Sequence, residues 1–94
     1  MKLKFFAEVT VGKEGADFYM IRRGSHSRVG LPVRDYGPEL ISIRVKTTKI
    51  EPEYLFWMMT TLWSQGIFKA LAKGTTALVH ITTDDVKNIR VTFR

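Results

Sequence analysis

The feature that most constrains this chain is a change of hydrophobic period in its middle. In Leu40-Ile41-Ser42-Ile43-Arg44-Val45-Lys46, the residues Ile41, Ile43 and Val45 fall on one face of a strand and Ser42, Arg44 and Lys46 on the other. The first face is predicted to be core and the second wet. Thr47-Thr48-Lys49-Ile50-Glu51 then leads into Pro52, a favoured first helical residue, with Glu51 and Glu53 placed to complement the helix N-terminal dipole. Beyond it Leu55, Phe56, Met58, Met59, Leu62 and Trp63 recur at three- and four-residue spacing and spill around the circumference, which predicts a helix buried on more than one side.

The remaining signals are shorter. Leu3, Phe5, Ala7, Val9 and Val11 alternate as a half-buried strand, and residues 18–22 resume the pattern after Gly12-Lys13-Glu14-Gly15, so the first two segments are expected to pair as a hairpin. Val29-Gly30-Leu31-Pro32-Val33 reads as extended, with Pro32 barred from a central ladder position, and Asp35-Tyr36-Gly37-Pro38 reads as a turn. Gly66 is placed to break the helix before Ile67-Phe68-Lys69-Ala70-Leu71, and Gly74 fits a left-handed helix cap. Residues 75–81 are expected to be extended, with Leu78 or Val79 inward. Thr82 or Thr83 should cap one helical turn through Asp84-Asp85-Val86-Lys87, and Ile89, Val91 and Phe93 should alternate as a last strand. Residues 1–94 are therefore expected to form a small single α+β domain, a twisted, mostly antiparallel sheet packed around one principal helix.

At 94 residues the core must be dense in large side chains, and two Trp, six Phe, three Tyr and four Met supply them. Core packing is accordingly the expectation for Phe56, Trp57, Trp63 and Phe68, rather than stacking on bases. The chain has no cysteine, which excludes a disulfide framework and the usual zinc sites, and the two histidines lack a carboxylate cluster. No metal or other cofactor is expected. Glu8 and Thr10 interrupt the apolar N-terminal residues short of a signal-peptide core, and the longest apolar run, residues 54–59, falls far below the roughly twenty residues of a membrane span. A cytoplasmic protein with no membrane partner is expected.

The net charge of +6 is unevenly placed, with four arginines and one histidine but no acid in residues 22–34. Segregated positive charge favours an anionic partner, of which nucleic acid is the commonest in the cytosol. Gly24-Ser25-His26-Ser27-Arg28, flanked by Arg22, Arg23 and Arg34, is the most polar loop. Its small residues admit close approach of a phosphate, its hydroxyls and imidazole can donate, and its arginines can grip phosphates or read guanine edges. Lys69, Lys73, Thr75 and Thr76 cluster near the predicted end of the helix, where cations also relieve the C-terminal dipole. His80, among Leu78, Val79 and Ile81, reads as a hydrogen-bonded structural residue. Asp84-Asp85 lacks the dispersed acids and lysine of a two-metal nuclease, and no Ser-His-Asp order, Walker loop or dinucleotide fingerprint is present, so no enzyme and no catalytic residue is expected.

In its order of elements the chain resembles the later portion of the target-recognition domain of type I restriction-modification specificity subunits. The resemblance rests on Ile21-Arg22-Arg23-Gly24-Ser25 with Val29-Gly30, Ile41-Ser42-Ile43, Ile50-Glu51-Pro52-Glu53-Tyr54-Leu55, Gly74-Thr75-Thr76, and His80-Ile81 through Ile89-Arg90-Val91. It implies a non-catalytic module that binds duplex DNA, with the Gly-Thr turn of Thr75 and Thr76 toward the DNA; together with the basic segment, the expected DNA-binding residues are Arg22, Arg23, Ser25, His26, Ser27, Arg28, Arg34, Lys73, Thr75 and Thr76. The early portion of such a domain is missing or reduced to residues 1–16 and no long helix follows Phe93, so the expectation is a free-standing or mobile-element derivative and not a conventional subunit.

Two other classes compete. One is a small inhibitor of the anti-restriction or anti-CRISPR type, whose partner would be the protein subunits of a restriction or other defence complex and whose mark would be an exposed aromatic patch. The other is an RNA-cleaving toxin, because Gly24-Ser25-His26 is similar to the Gly-Ser-His signature of HicA-type toxins. In that family a helix precedes the motif, whereas here strands do.

Overall fold

The computed structural model describes residues 1–75 and 77–92. Strands β1 (Ala7–Val11), β2 (Phe18–Met20), β4 (Pro32–Val33) and β5 (Ile41–Val45) form an antiparallel sheet in the order β1-β5-β2-β4. Strands β3 (Arg23–Gly24), β6 (Lys73–Gly74) and β7 (Val79–His80) form a second antiparallel sheet in the order β3-β7-β6. The principal helix is α1 (Pro52–Ser64), followed by the short α2 (Ile67–Leu71) and α3 (Thr83–Lys87). The α+β class and the single principal helix are as the sequence predicts, but the sheet is divided in two.

The predicted hairpin between the first two segments does not form, because β5 lies between them: Val9 pairs with Ile43, and Ile43 in turn with Phe18. The loop after β1 is tied to β5 instead of closing back on β2. The Gly12 N–H donates to the Leu40 carbonyl at 2.9 Å, and the Lys13 N–H to the Ser42 hydroxyl at 2.9 Å. That second bond explains a further difference. Ser42, expected on a wet face, is buried, and its hydroxyl is satisfied by the loop folded over it. Paired along both edges, with β1 and with β2, β5 takes a central position, and Pro32, with no N–H to give, sits on the edge strand β4.

Residues before β1 depart from the predicted strand. Leu3–Phe5 form a 3-10 turn that buries Leu3 and leaves Phe5 exposed. The turn is held from the far end of the chain: the Leu3 N–H donates to the Ile89 carbonyl at 2.9 Å and the Val91 N–H to the Met1 carbonyl at 2.7 Å. Ile89 and Val91 are buried as predicted, but they belong to this short bridge, centred on Lys2 and Arg90, rather than to a strand of either sheet. Phe93 lies outside the described residues.

Helix α1 buries Leu55, Phe56 and Met59. Its Phe56 ring meets Phe18 of β2 edge-on at 5.4 Å, the arrangement favoured by aromatic quadrupoles. Gly66, at φ +81°, ends α1 in the left-handed conformation that other residues adopt only with strain. Phe68 of α2 is then turned wholly into the core, a burial that stabilises by about 1.5–3 kcal/mol. Gly74 is not the helix cap. The helix has already ended at Leu71, and Gly74 pairs with Val79 in β6. Of the two candidate caps it is Thr82 that caps α3, its hydroxyl accepting from the Asp85 N–H at 3.1 Å while Asp85 accepts from the Thr82 N–H at 2.9 Å. One continuous core joins both sheets and the three helices, from Leu3, Val9 and Ile43 through Met59 and Phe68 to Val79 and Val86. Among the described residues no helix is long and apolar enough to cross a membrane.

Candidate nucleic-acid interface

The small sheet gathers the cations that are distant in sequence. Arg23 pairs with His80 and His80 with Lys73; one step along, Gly24 pairs with Val79 and Val79 with Gly74. Partners across an antiparallel ladder project to the same side, and successive residues to opposite sides. Val79 is buried, so its row faces the core, and Arg23, His80 and Lys73 form the outward row, with Arg23 and Lys73 exposed and His80 half-buried. Neighbouring strands are about 4.8 Å apart, so three side chains able to donate to an anion stand side by side across roughly 10 Å.

Chain direction adds the two polar segments. Strands β3 and β6 are both antiparallel to β7 and therefore run the same way. Residues 25–28, which follow β3, and Thr75, which follows β6, thus leave the sheet at the same end. Asp84 and Asp85, which follow β7, leave from the other. In the first segment the Arg28 and Val29 N–H groups both donate to the Ser25 carbonyl, at 3.1 and 3.0 Å, and the Ser25 and Ser27 hydroxyls lie 3.1 Å apart. His26 and Arg28 are left exposed. In the second, the Thr75 hydroxyl accepts from the Leu78 N–H at 3.2 Å and donates to the Leu78 carbonyl at 3.3 Å, so it closes its own turn. Leu78 is exposed and Val79 is the inward residue of this segment. Thr76 lies outside the described residues.

Arg22 and Arg34 are engaged elsewhere. The Arg22 Nε donates to the Glu39 carbonyl at 2.9 Å. Arg34 grips Glu53 through two hydrogen bonds of 2.9 and 2.6 Å and stacks over the Phe56 ring at 4.0 Å. These bonds raise the Arg34 pKa, and the guanidinium hydrogen bond holds the Glu53 carboxyl below the usual carboxylate range, aided by its charge and by the Trp57 indole N–H at 2.9 Å. Arg34 therefore fastens the end of β4 to the first turn of α1.

Arg23, Arg28, Lys69 and Lys73 form no salt bridge among the described residues, where the ion pairs are Arg34 with Glu53 and Lys13 with Glu8. Unpaired cations leave a positive potential that draws anions. Lys69 lines a cleft with His26 and Ser27 of the loop that follows β3. His80, read from its apolar neighbours as a hydrogen-bonded residue, has no side-chain hydrogen bond among the described residues and stands in the cationic row. Its only local signal is the alternation that puts it opposite in sense to Val79 and Ile81. Of the large aromatics, Phe56 and Phe68 are core as expected, whereas Trp57 is 55% exposed, turned outward to bond Glu53. Among the described residues no three of His, Asp and Glu gather closely enough to hold a metal ion.

Fold and surface together describe a small two-sheet α+β domain with a basic face built on its lesser sheet. No protein-family model matches the chain, and neither a curated protein nor a solved structure is significantly similar to it.

Proposed function

We propose that this chain is a non-catalytic DNA-binding module, of the kind used for target recognition in restriction-modification, that engages duplex DNA with the outer face of its small sheet. The observation that carries the reading is the outward row Arg23, His80 and Lys73, without a carboxylate partner among the described residues and bordered by the loop of residues 25–28. Such a row is suited to phosphates spaced along a strand, and the exposed His26 and Arg28 beside it can reach a groove. Arg22 and Arg34 act as fasteners, and the contacts pass to Arg23, Arg28, Lys69 and Lys73.

The test is fluorescence anisotropy on labelled duplex DNA over a range of salt. Four phosphate contacts give a slope of log K against log salt of about −3.6. Arg23→Ala and Lys73→Ala should each weaken binding and make the slope shallower by about 1, while Lys13→Ala, in the loop after β1 of the other sheet, leaves it unchanged. Undetectable binding at low salt, or slopes unmoved by Arg23→Ala and Lys73→Ala, refutes the proposal.

A further inference from the structure

The cleft shared by the basic loop and the α1–α2 junction has a composition of its own. It encloses about 390 Å³ and is lined by His26 and Ser27 on one side and by Trp63, Ser64, Gln65 and Lys69 on the other. A space of this size lies within the range of small-molecule sites. Trp63 is half-buried, so its ring position is set by packing against the core while part of its surface remains open. Its indole N–H and the Gln65 side-chain amide have no hydrogen-bond partner among the described residues. Ser64 donates its hydroxyl proton to the Thr61 carbonyl at 2.7 Å and keeps its lone pairs for an incoming donor. Lys69 is exposed and without an ion pair among the described residues. The lining thus offers an aromatic surface, hydrogen-bonding groups of both senses for the edge of a planar ring, and a cation beside an imidazole for a phosphate.

A base inside a regular duplex has both faces covered by its neighbours and cannot present one to a side chain in a cleft. An unpaired base can, and stacking on an aromatic residue is worth about 1–3 kcal/mol per base whatever its identity. We propose that this cleft takes a single unpaired nucleotide, its base against Trp63 and the Gln65 amide and its phosphate on Lys69 and His26. Because the cleft shares His26 and Ser27 with the basic loop, the inference rests on that face binding nucleic acid, and it adds a preference for DNA with an extrahelical or single-stranded nucleotide.

The experiment compares two labelled probes at one low salt concentration, a fully paired duplex and the same duplex carrying a one-nucleotide bulge. The bulged probe should bind about tenfold more tightly, within the roughly 5- to 150-fold that one stacked base supplies. In a Trp57→Phe background, where Trp63 is the remaining tryptophan, the bulged probe should quench the emission and the paired one should not. Trp63→Leu, which keeps apolar bulk against the core, and Lys69→Ala, which is exposed and leaves the core untouched, should each reduce the preference severalfold. Lys69→Ala and the quenching measurement also stand if Trp63→Leu fails to fold. Equal affinity for the two probes, or a preference that survives both substitutions, overturns the nucleotide site while leaving the basic face intact. Failure of both probes to bind removes the basic face and this site together.

Discussion

Replacing Gly30 with alanine tests how the basic loop is seated. Gly30 closes residues 25–30 onto the body of the protein: its N–H donates to the Ile21 carbonyl at 2.8 Å, and the Ile21 N–H to the Leu31 carbonyl at 3.0 Å. Its φ is +83°, and a Cβ built there would stand 2.6 Å from Cγ of Phe68, and nearer still to Cβ. Phe68 is fully buried and cannot swing away. Three effects combine. Left-handed backbone strain costs an alanine about 1–2 kcal/mol, and forcing a methyl into a filled core about 1–3 kcal/mol, while the stiffer unfolded chain returns about 0.4–1 kcal/mol. The net destabilisation is about 1–5 kcal/mol. In a domain of 94 residues this is equivalent to a fall in melting temperature of roughly 5–25 °C.

Gly66 supplies the control. Its φ of +81° is nearly the same, but a Cβ there meets nothing within 4 Å, so Gly66→Ala carries the backbone strain alone and should cost about 1 kcal/mol or less. Urea denaturation followed by tryptophan emission, with thermal melts by circular dichroism, measures both. The quantity of interest is the difference between the two variants, about 1–3 kcal/mol, since their shared conformational penalty cancels. Equal destabilisation would show that the loop is not packed on Phe68, and the placement of His26 and Ser27 over the cleft would fall with it.

Two other outcomes follow from local geometry. Thr82→Ala removes the reciprocal cap of α3 and should lower stability by about 1 kcal/mol in the same urea assay, whereas Thr83→Ala, inside the helix, should change little. For the Arg34–Glu53 pair, the folded state holds the Glu53 carboxyl below its unfolded value, so its contribution is complete above the ordinary carboxylate range and is lost as pH falls through the lowered value. The gap in melting temperature between the wild type and Glu53→Gln should therefore narrow as the solution is acidified, and should also narrow in high salt because the pair is exposed; a gap that widens in acid contradicts the assignment.

The sequence by itself determined what depends on near neighbours. The alternation of Ile41, Ile43 and Val45 set a strand, Pro52 and the apolar spacing after it set the principal helix, Thr82 or Thr83 set a cap before Asp84, and the missing N–H of Pro32 barred it from a central strand. Each is decided within a few residues by backbone sterics, local hydrogen bonds or side-chain period. The clustering of positive charge in residues 22–34 was legible too, but the division of labour within it was not. Whether an arginine is a fastener or a free cation depends on which carbonyl or carboxylate folds up beside it: Glu39 takes Arg22, Glu53 takes Arg34, and Arg23 meets none among the described residues.

Tertiary structure alone decided which strands lie together. A strand pattern states that one face must be buried but names no partner, so local reading favours the nearest segment, and the predicted hairpin of the first two strands is that bias at work. Folding instead placed β5 between them, paired with both, and the Lys13 N–H satisfies the Ser42 hydroxyl buried there. The same long-range pairing drew Arg23, His80 and Lys73 from separate parts of the chain into one outward row, and moved Gly74 from a helix cap into a strand. Strand register is a contact between residues far apart in sequence, specified by the packing of the whole core. The basic face is therefore a property of the folded domain that no segment of the chain carries alone.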